Sequence, residues 1–141
     1  MKTFFRIFTL LISFSLVSAS VSRAQTKTHK LLIDLNSADT TDQAAVLRQI
    51  RNLWRELPDT KVEVLIHGQA ISAIRKETSP FAVQIEKLQK EGVTFAVCRN
   101  TMKRYKLAEA DMLPSASFVP SAIAETVLKQ EEGWSYQKAG H

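Results

Sequence analysis

The chain has 141 residues, 45% of them hydrophobic, with 19 Lys and Arg against 14 Asp and Glu and one cysteine. A single cysteine excludes an internal disulfide and a paired-cysteine zinc site. The bases lack the clustering and aromatic interleaving of a nucleic-acid binder, and the length suits one domain with one core.

The first 24 residues read as a secretory signal peptide. Lys2 and Arg6 give a positive flank, and residues 7–17 form an apolar run of eleven. Small residues follow, with Ser22-Arg23-Ala24 offering a cleavage site before Gln25 and 17–19 a second. A spanning helix needs about 20 apolar residues, so this run cannot anchor the chain. No cysteine stands directly after the leader to carry a lipid. The leader takes three of the 19 bases and none of the 14 acids, so the charge falls from +5 to +2. The expected product is exported and soluble, periplasmic or otherwise outside the cytoplasm, with residues 25–141 forming a single domain. No membrane insertion is expected once the leader is cleaved.

The first strand is predicted at Lys30 to Asn36, short and rich in aliphatic residues. A helix follows from Thr40, where Thr40 and Gln43 fit a capping box. Val46, Ile50, Leu53, Trp54 and Leu57 repeat at helical spacing, and Pro58 ends the run. Lys61 to Gly68 reads as the second strand. Ser79-Pro80 predicts a second helix, with Ser79 as cap, a stripe of Phe81, Ile85 and Leu88, and a stop at Gly92. Val93 to Cys98 is the third strand, followed by a short helix from about Asn100 or Thr101. Phe118-Val119 is a brief fourth strand, Ser121 to Glu132 a last helix, and residues 134–136 a small closing strand.

Alternating strands and helices predict an α/β fold, a largely parallel sheet with helices on both faces. Ligands of such sheets collect at the carboxyl ends of the strands. That rule singles out Asn36 and Ser37, His67 and Gly68, Cys98 to Thr101, and Pro120 with Ser121.

Cys98 ends a strand and precedes a helix, whose exposed amides and dipole favour a thiolate. Arg99, Lys103 and Arg104 add positive charge nearby, so a lowered pKa is expected; the plainer alternative is a core cysteine. His67 ends the second strand and can serve as a proton donor or acceptor near neutral pH, or simply be a hydrogen-bonded surface residue. Cys98 and Met102, four apart, can offer soft ligands to one ion, but core packing of Met102 is the simpler reading and no metal site is expected. Glu125, Glu131 and Glu132 suit a solvated helix face. Asn36-Ser37 is weakly suggestive of substrate binding. Neither a Gly-rich phosphate loop nor a serine nucleophile elbow is present.

Four segments resemble the DsrE/DsrF-like family: Gly92 to Met102 (GVTFAVCRNTM), Asp111 to Pro114, Val119-Pro120-Ser121, and Gln130 to Tyr136 (QEEGWSY). His67-Gly68 after a strand also fits. The resemblance covers residues 30–136. It implies a three-layer α/β/α sandwich on a mainly parallel sheet of about five strands. In the family's sulfur-relay members, which form trimers or hexamers, a cysteine carries sulfur as a persulfide, and here the only candidate is Cys98.

The expected function is an exported, sulfurtransferase-like carrier that handles sulfane sulfur or thiols through Cys98, with His67 or Asn100 orienting the exchange. The competing expectation is a non-catalytic oligomeric module that binds a small ligand at the strand ends, with Cys98 structural. No cofactor is implied. The expected partners are further copies of the chain, through surfaces including Trp134 and Tyr136, and a sulfur donor or acceptor that is a protein or a small thiol.

Overall fold

The computed structural model describes residues 28–140. The signal peptide and its cleavage site lie outside the described residues.

Five strands form one parallel sheet: β1 (Lys30–Leu35), β2 (Lys61–Ile66), β3 (Thr94–Cys98), β4 (Ala116–Val119) and β5 (Ser135–Ala139). Their spatial order is β4-β3-β2-β1-β5. The helices are α1 (Thr40–Glu56), α2 (Ala82–Lys90), α3 (Arg99–Arg104) and α4 (Ala122–Glu131), with a 3-10 helix at Gly68–Ile74 and a 3-10 turn at Glu109–Asp111.

The strand order dictates how the layers fill. From β1 to β4 the chain steps in one direction across the sheet, and right-handed crossovers in one direction lie on one face. Accordingly Val46 and Ile50 of α1, Ile71 and Ile74 of the 3-10 helix, Ile85 and Leu88 of α2 and Met102 of α3 pack together. They meet Ile33, Leu35, Val64, Ile66, Phe95 and Val97 from the strands. The step from β4 to β5 runs back across the whole sheet, so its crossover, α4, lies on the opposite face. There Leu32, Leu65, Ala96 and Cys98 meet Ala122, flanked by Val119 and Trp134. Helices thus cover both faces, but one short helix covers the second. The connections leaving β3 and β4 go to opposite faces, which makes their carboxyl ends a switch point where a crevice opens.

The strand and helix positions follow the apolar patterns of the sequence; two caps do not. Asp39, not Thr40, caps α1, its Oδ1 accepting from the Thr41 amide at 2.7 Å. The segment offers several short polar side chains, and the carboxylate is a strong acceptor at a positive helix start. Gln43 is buried instead and donates to Ser37 O and Ser72 Oγ, tying α1 to the 3-10 helix. Ser79 sits two residues too early to cap α2, whose N-cap is Phe81. Its hydroxyl donates to Ala73 O and accepts from the Phe81 amide. Gly92, with φ of 110°, ends α2 as expected, its amide bonding Gln89 O.

Candidate functional site

Cys98 is the last residue of β3 and the N-cap of α3. It points to the face covered only by α4, and the residue is 4% exposed. Its sulfur accepts the Ala122 amide at 3.3 Å, from the first turn of α4. Burial raises the thiol's pKa, but hydrogen bonds from the Thr101 and Ala122 amides, the Thr101 hydroxyl and the Asn100 amide outweigh it. The net pKa lies below the ordinary value. The helix-start amides act in the expected direction and are joined by the Ala122 amide and the Thr101 hydroxyl, whereas the neighbouring bases are not among the causes. The Arg99 guanidinium pairs with Glu109 and lies over the Phe118 ring, 5.3 Å from its centroid.

Thr101 is itself held in place. Its Oγ1 accepts the Gly68 amide at 3.0 Å, linking the end of β2 to the start of α3. Gly68 has φ of 57°, which L side chains disfavour, and this turn carries the chain from His67 into the 3-10 helix.

His67 follows β2 on the same face as Cys98. Its Nε2 lies 2.5 Å from Asp34 Oδ1, and the other carboxylate oxygen accepts from Tyr136 Oη at 2.8 Å. Burial raises the pKa of Asp34, but the hydrogen bonds from His67 and Tyr136, with the charge of Lys138, bring it below the ordinary value. The same carboxylate raises that of Tyr136. With Nε2 facing Asp34, the ring's Nδ1 is the nitrogen left for other partners.

Asp34, His67, Cys98, Asn100, Ser121, Ala122, Ile123, Thr126 and Tyr136 line one cavity of about 310 Å³ between the strand ends and α4. The structure therefore brings together Cys98, His67 and Asn100, the residues to which the sequence reading gives chemistry, with Ser121 from the same set of strand ends. Asn36 and Ser37 do not line it: Ser37 belongs to the start of α1, accepting from the Asp39 amide and from Gln43. Met102 packs in the core on the opposite face from Cys98. Other hollows of similar size, such as the one between α1 and β5, hold no thiol.

The sequence reading does not single out Asp34, and it names Tyr136 only within the family-like segment and the association surface, not at this site. A carboxylate between Ile33 and Leu35 in an aliphatic strand was the available signal, because a buried charge needs partners. No local pattern places Tyr136 at the site: it stands opposite Leu32 and reaches along the sheet to Asp34 only once β5 pairs with β1.

The model of the DsrE/DsrF-like family matches residues 26–137. Among solved structures, a protein of unknown function from Methanobacterium thermoautotrophicum, MTH1491, has a TM-score of 0.75 at 24% identity. The match covers 78% of this chain and 98% of that one. The ychN protein of E. coli has a TM-score of 0.60 at 10% identity, over 79% of this chain and 96% of its own. BT1422 from Bacteroides thetaiotaomicron, of unknown function, has 0.63 at 12%, over 77% and 93%. These likenesses show the fold. No curated protein matches the chain by sequence.

Proposed function

The chain belongs to the DsrE/DsrF-like family, and from that premise we propose that it carries sulfane sulfur on Cys98 as a persulfide. One observation supports this above the rest: the Cys98 sulfur accepts the Ala122 amide at 3.3 Å, with its pKa held down by neighbouring amides and a hydroxyl, beside a cavity that also holds an imidazole. Such donors stabilise a thiolate, the form that attacks sulfur.

The thiolate attacks the outer sulfur of a persulfide R–S–SH. The new bond joins Cys98 Sγ to that sulfur, and the donor's S–S bond breaks with its electron pair leaving on RS⁻. The product is Cys98–S–SH, and RS⁻ takes its proton from His67 or water. No external oxidant or reductant is needed. His67, held by Asp34, and Asn100, at the cavity wall, orient the exchange.

Export of the mature chain rests on the leader pattern in residues 1–24. Among the described residues no helix is long and apolar enough to cross a membrane. Self-association rests on the outer side of α4, where Ile123 is 74% exposed and Val127 and Leu128 are also exposed. The proposed surface extends to Trp134, which lies under Lys129 Nζ at 4.6 Å, and to the exposed Tyr136.

The 4% exposure of Cys98 favours the competing reading, a binding module with a structural thiol. One experiment separates the two. The reduced, folded protein is treated with a low-molecular persulfide, separated from it and weighed intact. A gain of about 32 Da, one sulfur atom, on Cys98 and not on Cys98→Ser supports the carrier. A thiol that stays free until denaturant is added supports the binding module.

A further inference from the structure

We propose that the Asp34 carboxylate selects the sulfur donor by charge, so that the cavity takes persulfides of neutral or cationic small thiols and rejects anionic donors such as thiosulfate. The donor identity rests on the carrier reading above; the charge selection itself does not.

The inference starts from what lines the cavity. Asp34 is there, and neither lysine nor arginine is, among the described residues. Two of the nearby cations are committed elsewhere, and the third, Lys138, acts on Asp34 through its charge from outside the cavity. Arg99 is paired with Glu109 and lies over Phe118. Lys129 bonds Glu63 at 2.9 Å and Glu125 at 3.4 Å. Lys138 stands beside Asp34 on β5 but does not line the cavity.

Asp34 cannot readily discard its charge. Donors occupy both oxygens, at 2.5 Å from His67 and 2.8 Å from Tyr136. Charge-assisted bonds of this kind favour the ionised form. An anionic donor would therefore meet a fixed carboxylate and the Cys98 thiolate together, in a space where water screens charge less than in bulk. The donors around Cys98, mostly backbone amides, stabilise the thiolate without supplying a full positive charge. A donor ending in an ammonium group is drawn toward Asp34, and a neutral one is tolerated.

Two methanethiosulfonate reagents of matched length test the charge selection without any assumption about sulfur transfer. One ends in ammonium, the other in sulfonate. Each gives its RS group to the thiolate and releases methanesulfinate. Rates are compared at pH 8. The cationic-to-anionic rate ratio at Cys98 is divided by the same ratio for N-acetylcysteine.

The expected quotient is about tenfold or more at low salt, declining as salt rises. It approaches one in Asp34→Asn. A quotient at or below one, or one that neither salt nor folded Asp34→Asn moves, overturns the inference. The salt series needs no variant, so a misfolded Asp34→Asn leaves the test intact.

Sulfur donors form the second arm: cysteamine persulfide is expected to load Cys98 at least about tenfold faster than thiosulfate. Equal loading overturns charge selection and leaves the carrier standing. Discrimination between the reagents with no loading by any donor leaves charge selection standing and removes the carrier. A Cys98 that reacts with neither reagent until unfolded overturns both.

Discussion

The Thr101 hydroxyl accepts the Gly68 amide and helps to hold the Cys98 pKa down. Thr101→Val keeps the shape and removes both. It is expected to raise the apparent pKa of Cys98 in the pH dependence of alkylation, while Thr101→Ser preserves it. The unpaired Gly68 amide should cost about 1–3 kcal/mol in denaturant unfolding. Asp34 provides a second test. Its folded pKa lies below the ordinary value, so its stabilising effect is present above the carboxylate range and lost as pH falls through the folded value. Unfolding measured from neutral pH down to about pH 2 should show a shallower acid limb in Asp34→Asn. Cys98, His67 and Asn100 were legible in the sequence because they end strands or begin a helix. Asp34 lies one residue inside its strand, where an end-of-strand rule does not look, and its partner Tyr136 is brought near only by the pairing of β5.

At the scale of elements, α4 is the thinly held piece. It contributes one buried apolar residue, Ala122, and is tied to the sheet by Lys129, which bonds the buried Glu63. Burial pushes the Glu63 carboxyl up, opposed by Lys129. Lys129→Met should therefore cost about 3 kcal/mol, because it leaves a buried carboxylate without its cation. Glu63→Leu combined with Lys129→Met should recover most of that loss in the same unfolding measurement, and a double variant as weak as the single would contradict this. The sequence revealed elements in proportion to how their burial shows as periodicity. β2 is buried at every position after Lys61, and α1 carries a clear stripe, so both were legible. Residues 68–74 went unread because the buried Ala70, Ile71, Ala73 and Ile74 form only two tight turns. The reading of β5 stops three residues short of its end at Ala139, since Gln137 and Lys138 give no apolar signal.

The whole molecule is asymmetric, with several helices over one sheet face and one over the other. That follows from strand order and crossover handedness, and it leaves the Cys98 cavity bounded by a lone helix with an apolar outer side. If copies of the chain associate there, light scattering at micromolar concentration should give a multiple of the chain mass. Ile123→Glu with Val127→Glu should reduce it to a monomer without unfolding it; a monomeric unaltered protein would contradict the association. The most direct test of the central claim follows sulfur through Cys98 in both directions. The protein is loaded with a persulfide whose outer sulfur is a heavy isotope, freed of donor and presented with a fresh thiol. The account predicts that the heavy sulfur appears on Cys98, then leaves it for the acceptor as a persulfide, with none carried by Cys98→Ser. Heavy sulfur that never joins the folded chain, or joins and cannot be passed on, would contradict it.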